Sequence, residues 1–225
     1  GEMPRFPSES EEGDCYYITA EDPEKAVQMI SKLVKDSIPK KFGFNSVADI
    51  QILSPMQKGI LGARNLNQNM QRILNPQGDE IERFGTIFRC GDRVMQTEND
   101  YDKEVYNGDL GTIEHLDYEN AEAKIRYEDR IIPYDFRELD ALLHAYAITI
   151  HKSQGSEYPV VIIPVHTQHY VMLQRTLIYT ALTRAKKLAI LVGSEKAIRL
   201  ALSQTESKKR ITTLHDRLQS SFHTL

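Results

Sequence analysis

Two apolar runs, Val160–Val165 and Leu188–Gly193, constrain the fold of this chain more than any other feature. A strand with one face in water alternates apolar and polar residues. An unbroken run of Val, Ile and Leu is instead buried on both faces, which calls for a parallel sheet with helices on either side. The flanking segments agree. Asp14–Thr19 and Ala48–Leu53 read as strands. Pro23 opens a helix to about Ser37, with Ala26, Val27, Ile30, Leu33 and Val34 on one stripe, and Pro39 and Gly43 are expected to break it. Leu61 to Leu74 reads as a helix ended by Asn75-Pro76. Leu173–Ala185 and Ser194–Gln204 complete the pattern, the latter with Ser194 as N-cap and Lys196 and Arg199 on its polar face.

Between about Glu80 and Ala141 the grammar is all-β. Gly91–Gln96 and Leu110–Leu116 read as strands with an Asn107-Gly108 turn between them, and Ala123–Tyr127 and Arg130–Tyr134 form a hairpin around Glu128-Asp129. So many short strands in one stretch suggest a small barrel. The expected organisation is therefore an α/β domain, residues 14–80 and 142–204, interrupted by a β insertion over 81–141. Residues 1–13 form a lead-in and 205–225 a polar tail.

The net charge of −4 argues against a generic nucleic-acid binder, but the charge is unevenly spread. Residues 181–210 carry Arg184, Lys186, Lys187, Lys196, Arg199, Lys208, Lys209 and Arg210 against Glu195 and Glu206, a pattern that fits either a polyanion ligand or a solvated helix face. The two cysteines, Cys15 and Cys90, cannot build a disulfide framework, so the chain reads as cytoplasmic with both thiols in the core. No apolar run approaches the ~20 residues needed to span a bilayer, and the acidic amino terminus has no signal-peptide pattern.

Three segments carry chemistry. In Thr149-Ile-His151-Lys152-Ser153-Gln154-Gly155-Ser156-Glu157, hydroxyl, imidazole and ammonium groups can meet phosphates, Gly155 allows close backbone approach and Glu157 can accept from ribose hydroxyls. The same polar groups would also serve simply to cap a helix. In Tyr179-Thr-Ala-Leu-Thr183-Arg184-Ala185, Arg184 sits near a helix C-terminus, where the dipole favours any cation. Ser54-Pro55-Met56-Gln57-Lys58-Gly59, followed by Gly62 and a helix with Asn65, Asn67, Gln68 and Asn69, resembles a strand-to-helix loop able to hold an anion. There is no G-x-x-x-x-G-K-[ST] loop, no Walker-B-type carboxylate at a strand end, no G-x-S-x-G and no H-E-x-x-H.

Taken in chain order, the three segments resemble motifs IV, V and VI of superfamily 1 helicases, in particular the RecD/TraA-like branch that includes the exodeoxyribonuclease V alpha subunit. Gly91-Asp-Arg-Val-Met-Gln-Thr-Glu-Asn99-Asp-Tyr and Asn107-Gly-Asp109-Leu-Gly111 extend the likeness, so it covers nearly the whole chain. The resemblance implies a second RecA-like domain carrying an SH3-like insertion. It implies an ATP-dependent DNA helicase, moving 5′ to 3′, whose P-loop and Mg²⁺-binding carboxylate lie in an N-terminal motor domain. ATP with Mg²⁺ would be held mainly there. Arg184 matches the arginine finger; Lys58, Gly155 and Glu157 match positions near the nucleotide. Thr149, His151, Lys152, Ser153 and Gln154 match positions facing single-stranded DNA, and no resident metal site is implied. Partners would be ATP, single-stranded DNA, the motor domain and subunits of a nuclease–helicase, with no membrane.

Two other readings compete. A metal-dependent nuclease would have to use Asp100-Tyr-Asp102-Lys103, and a zinc site would have to use His166 and His169 with His144 and His151, which lack the usual ligand spacing. A non-enzymatic module that docks protein or DNA in a nuclease–helicase complex is the alternative to the motor fragment.

Overall fold

The two apolar runs lie side by side in a five-stranded parallel sheet. A computed structural model of the chain describes residues 6–7 and 13–204; the expected tail, with Lys208, Lys209 and Arg210, lies outside them. The chain runs through β1 (Cys15–Thr19), α1 (Pro23–Lys32), a π-helical turn (Leu33–Ser37), α2 (Ile38–Phe42), β2 (Ile50–Ser54) and α3 (Ala63–Leu74). Six strands follow: β3 (Glu80–Arg83), β4 (Thr86–Arg89), β5 (Arg93–Gln96), β6 (Leu110–Asp117), β7 (Glu122–Tyr127) and β8 (Arg130–Asp135). After a 3-10 turn come β9 (Leu142–His144), β10 (Ala147–Thr149), β11 (Tyr158–Val165), α4 (Arg175–Leu182), β12 (Ala185–Gly193) and α5 (Glu195–Ser203). The parallel sheet has the order β1-β12-β11-β2-β10.

Its two faces explain the unbroken runs. Val160, Ile162, Leu188, Ile190 and Val192 pack with Ile30 of α1 and Leu66 and Met70 of α3. The alternate residues Val161, Ile163, Val165 and Leu191 pack with Leu177 and Ile178 of α4 and Ile198 of α5. Both sides of each strand are thus paid in apolar contact, at about 25 cal/mol per Å² buried.

Three local expectations are corrected. Pro39 does not break the first helix. The π turn passes the Ile38 N–H back to Leu33 O, and Pro39 then falls in the first turn of α2, where no N–H is needed. The helix stops only at Gly43, whose φ of 75° gives a left-handed cap. The helix before β12 ends at Leu182 rather than at Ala185, because Ala185 already pairs with Tyr158 in the sheet. Cys15 and Cys90 are half-buried rather than core residues, and Cys90 Sγ lies 2.7 Å from Glu114 O.

The remaining strands form an antiparallel sheet, β8-β7-β6-β5-β9, with β3 and β4 as a separate hairpin. Tyr127 pairs with Arg130 around Glu128-Asp129, as expected. Leu142–His144, read from the sequence with the α/β segments, is an edge strand here, pairing with β5. This sheet encloses its own core of Phe88, Val94, Ile113, Ile125, Tyr134 and Leu139.

The dipeptide Asp92-Arg93 fastens the two sheets together. Asp92 is fully buried and accepts from Gln71 Nε2 (2.6 Å), Asn75 Nδ2 (2.7 Å), Arg89 N (2.8 Å), Tyr146 OH (2.9 Å) and His144 Nε2 (3.0 Å). Burial pushes its carboxyl up, but His144, Asn75 and the Arg89 amide outweigh burial and hold it below the usual carboxylate range. Arg93 donates to Val47 O and lies 3.2 Å from Ala48 O, ahead of β2. Replacing Asp92 by Ala strands these donors, and the expected loss is about 3–5 kcal/mol in urea unfolding. A carboxylate with a depressed folded pKa stabilises above its unfolded value near 3.9 and stops doing so as pH falls through the folded one. The acid limb of the stability curve below about pH 4 should therefore flatten in Asp92→Asn.

Candidate functional site

The segment after β2 is built around a hydroxyl and a missing Cβ. Ser54 Oγ lies 2.7 Å from Leu61 O and accepts from Met56 N at 3.2 Å, folding residues 55–61 into a closed loop. At Gly62 a Cβ would fall 2.4 Å from the backbone of Lys58, so only glycine fits. The first amides of α3 are already used, Ala63 N by Met56 O (2.9 Å) and Arg64 N by Gln57 O (3.1 Å). The expected anion site therefore lacks the first two helix amides, and the exposed Lys58 ammonium is the charged group it offers. Asn67 is not a ligand group: its amide accepts from Ala147 N at 2.8 Å and donates to His144 O (3.0 Å) and Ala147 O (2.8 Å), tying α3 to the backbone ahead of β10.

Thr149 ends β10 level with Ser54 of β2, at the carboxyl edge of the parallel sheet. Ligands of open α/β sheets gather at this edge. The 3-10 turn Ile150–Ser153 follows, with Ile150 buried against the α4 face and His151 and Lys152 exposed. His151 and Gln154 line a cavity of about 390 Å³ whose far wall is Thr176 and Thr180 of α4. Ser153 departs from the expected role. It is fully buried and its hydroxyl donates to Ile150 O at 2.7 Å, so it shapes the turn instead of facing a ligand.

Gly155, at φ +87°, turns the chain back toward the amino edge, where Glu157 and Arg184 sit. Arg184 Nη1 donates to Ser156 O at 3.1 Å, and Tyr158 N donates to Arg184 O at 2.8 Å. Arg184 Nε is buried without a partner among the described residues. No carboxylate pairs with this guanidinium among the described residues; Glu157 lies 3.7 Å from Lys186 instead. Gly155, Glu157 and Arg184 are thus brought together. Lys58 is not: it leaves the carboxyl end of β2, whereas Arg184 precedes β12 at the other edge, roughly 20 Å away at ~3.3 Å per strand residue.

His166 and His169 lie away from the Arg184 site. His166 Nε2 donates to Glu21 O (2.9 Å) and its Nδ1 accepts from Gln168 N (3.3 Å). His169 is buried, and burial first, then His166, brings its pKa down to about 4, so it is neutral near pH 7. Among the described residues no three His, Cys, Asp or Glu side chains cluster as a metal site. Asn99 and Asp109 serve turns, accepting from Asn107 N (2.9 Å) and Tyr106 N (2.8 Å). Sequence reasoning missed Asp92, because its donors are spread over residues 71 to 146 and no local pattern announces them.

Gly62→Ala is expected to lose about 1–3 kcal/mol, since the clash is with backbone that cannot swing away. Thermal melting of the variant beside the parent chain checks this; an unchanged midpoint would mean the loop is not built as described.

Comparison with known proteins follows the same segments. Residues 66–127, from α3 through β7, match the ATP-dependent RecD-like DNA helicase SH3 domain, and residues 144–192 match the UvrD-like helicase C-terminal domain. The chain is 37% identical over 171 residues to the ATP-dependent RecD2 DNA helicase of Deinococcus radiodurans, covering 76% of this chain and 24% of that one. It is 32% identical over 166 residues to the RecBCD enzyme subunit RecD of Haemophilus influenzae, covering 74% and 24%. The chain thus spans about a quarter of the length of these relatives. A Pif1 helicase from Bacteroides, solved with ADP-AlF3 and ssDNA, aligns at a TM-score of 0.49 and 17% identity over 88% of this chain and 50% of that one. The α/β fold with an SH3-like segment agrees with the expectation from sequence. With both domain matches in place and the motifs in family order, the chain belongs to the RecD-like superfamily 1 DNA helicases, where it corresponds to the SH3 and UvrD-like C-terminal domains.

Proposed function

We propose that this chain is the second half of an ATP-dependent DNA helicase motor, closing over a nucleotide that a separate P-loop domain holds with Mg²⁺. The observation that carries the reading is the Arg184 site: a guanidinium oriented by the Ser156 carbonyl, free of any carboxylate among the described residues, beside Gly155 and Glu157. An arginine neutralised in the ground state has little left for charge that develops on a γ-phosphate. One held by a neutral carbonyl keeps its charge for that moment. Glu157 accepts from the nucleotide's ribose in this reading, as the family motif implies. Thr149, His151, Lys152 and Gln154 face single-stranded DNA, and the motor moves 5′ to 3′ as the RecD-like motifs imply. It works in the cytoplasm, alone or with nuclease–helicase subunits.

This sequence contains no P-loop, so the purified chain should release no phosphate from ATP above background, with or without single-stranded DNA. DNA-stimulated release that disappears in Arg184→Ala would overturn the division of labour. In the chain joined to a P-loop motor domain of the same family, Arg184→Ala should lower kcat by about 10³–10⁵ with DNA affinity nearly intact. His151→Ala and Lys152→Ala should do the opposite. Loss of the Lys152 ammonium is expected to reduce the salt slope of single-strand binding by about 0.7. If Arg184→Ala weakened DNA binding and spared turnover, both assignments would be wrong.

A further inference from the structure

A second groove lies on the other face of the parallel sheet, between α3 and the β3–β4 hairpin. It encloses about 500 Å³, and its walls include Lys58, Arg64, Gln68 and Arg72 on one side and Ile87 and Leu143 on the other. Among the described residues no Asp or Glu lines it. Lys58, Arg64 and Arg72 are exposed and form no ion pair among the described residues; a fourth cation at the groove, Arg89, is paired with Glu80 at 2.8 Å. Arg64, Gln68 and Arg72 recur every four residues, so they stand in one row along α3. Ile87 and Leu143, 39% and 40% exposed, give the opposite wall an apolar character.

Two uncompensated cations in one row along α3 with Gln68 between them, a third at Lys58 ahead of the helix, and an apolar wall opposite fit a phosphodiester backbone whose bases turn toward the wall. The groove also starts in the right place. Thr149 and Ser54 are register partners, so the turn with His151 and Lys152 and the loop with Gln57 and Lys58 leave the sheet edge from neighbouring strands. One leads to the α4 face and the other to the α3 face. We infer that single-stranded DNA crossing His151 and Lys152 continues over this edge into the α3 groove, where Lys58, Arg64 and Arg72 hold its phosphates. This rests on the DNA reading proposed above, and it gives Lys58 a DNA phosphate as its ligand.

The test is binding of fluorescein-labelled oligo(dT) to the 225-residue chain across a KCl series. Arg64 and Arg72 sit on the exposed face of α3, so their double alanine variant should keep the parent circular dichroism spectrum and melting midpoint. Its salt slope is expected to fall by about 1.4, twice the ~0.7 per phosphate contact, and Lys58→Ala should lower it by about 0.7. Lys25→Ala/Lys32→Ala, which removes two exposed cations from α1, should leave it unchanged. If the groove variants bind as the parent does while His151→Ala and Lys152→Ala lose affinity, the groove is not on the track and the DNA reading stands. Equal losses from the α1 control would also overturn the groove, reducing it to net charge. No salt-dependent binding by the parent chain would remove the DNA reading itself.

Discussion

The architecture depends on a buried carboxylate that is never short of donors. A lone charge in an apolar interior costs several kcal/mol after relaxation. Asp92 avoids this by collecting two side-chain amides, a backbone amide, an imidazole and a phenol, drawn from α3 and its C-cap, the end of β4, β9 and the residue before β10. Each donor is itself buried or half-buried, so each would be costly to leave unpaired. The next residue works the other way: Arg93 spends its guanidinium on backbone carbonyls that precede β2. A turn of the antiparallel sheet thus carries an acceptor for one part of the α/β layer and a donor for another. The groove along α3 exists because this pairing sets the hairpin at a fixed distance from the helix.

The parallel sheet then separates two kinds of chemistry by its ends. At the amino edge, Arg184 and Glu157 stand together because α4 ends early and β11 begins early, which lets Tyr158 N bond to Arg184 O. At the carboxyl edge, the exits of β2 and β10 present Lys58, His151 and Lys152. In the reading proposed above, a change at the nucleotide has to alter the grip on the strand. Residues 150–157 join the two ends in a single stretch, from the His151 turn to the Arg184 site, with Gly155 as its one left-handed residue. On the function proposed above, a shift of Ser156 toward a closing nucleotide would pull on His151 and Lys152 through this stretch.

Much of this was legible in the residues. The unbroken apolar runs specify a parallel sheet, and the motif order identifies the family through residues that only later prove to be neighbours. What was not legible shares a physical cause. The β3–β4 hairpin turns through Phe84 and Gly85 at φ 53° and 71°, and a phenylalanine in that conformation carries none of the Asn-Gly signal that usually marks such turns. Pro39 was misread because a π turn, set by long-range packing, removed the need for its missing N–H. Ser153 has the residue type of a ligand group, but its hydroxyl is spent within its own turn. Asp92 sits in a segment that reads simply as a strand, and its role depends on partners that only the fold assembles.

Charge distribution restricts where a polyanion can travel on this surface. The net charge of −4 is not shared evenly between the two sheets. Beside β8, a cavity of about 500 Å³ is lined by Glu98, Asp100, Asp135, Glu138 and Asp140. Its lining cation Arg137 is paired with Asp135, and the neighbouring Lys103 is held between Asp100 and Glu138. A phosphate there would meet carboxylates whose compensating cations are already committed. Over the α3 groove the situation is reversed: among the described residues Lys58, Arg64 and Arg72 form no ion pair and no carboxylate lines the walls. At a Debye length of about 8 Å in physiological salt the two regions act locally, without averaging to the net charge. On the proposed track, a strand leaving the His151 turn would therefore be repelled from the far end of the antiparallel sheet and drawn along the helix.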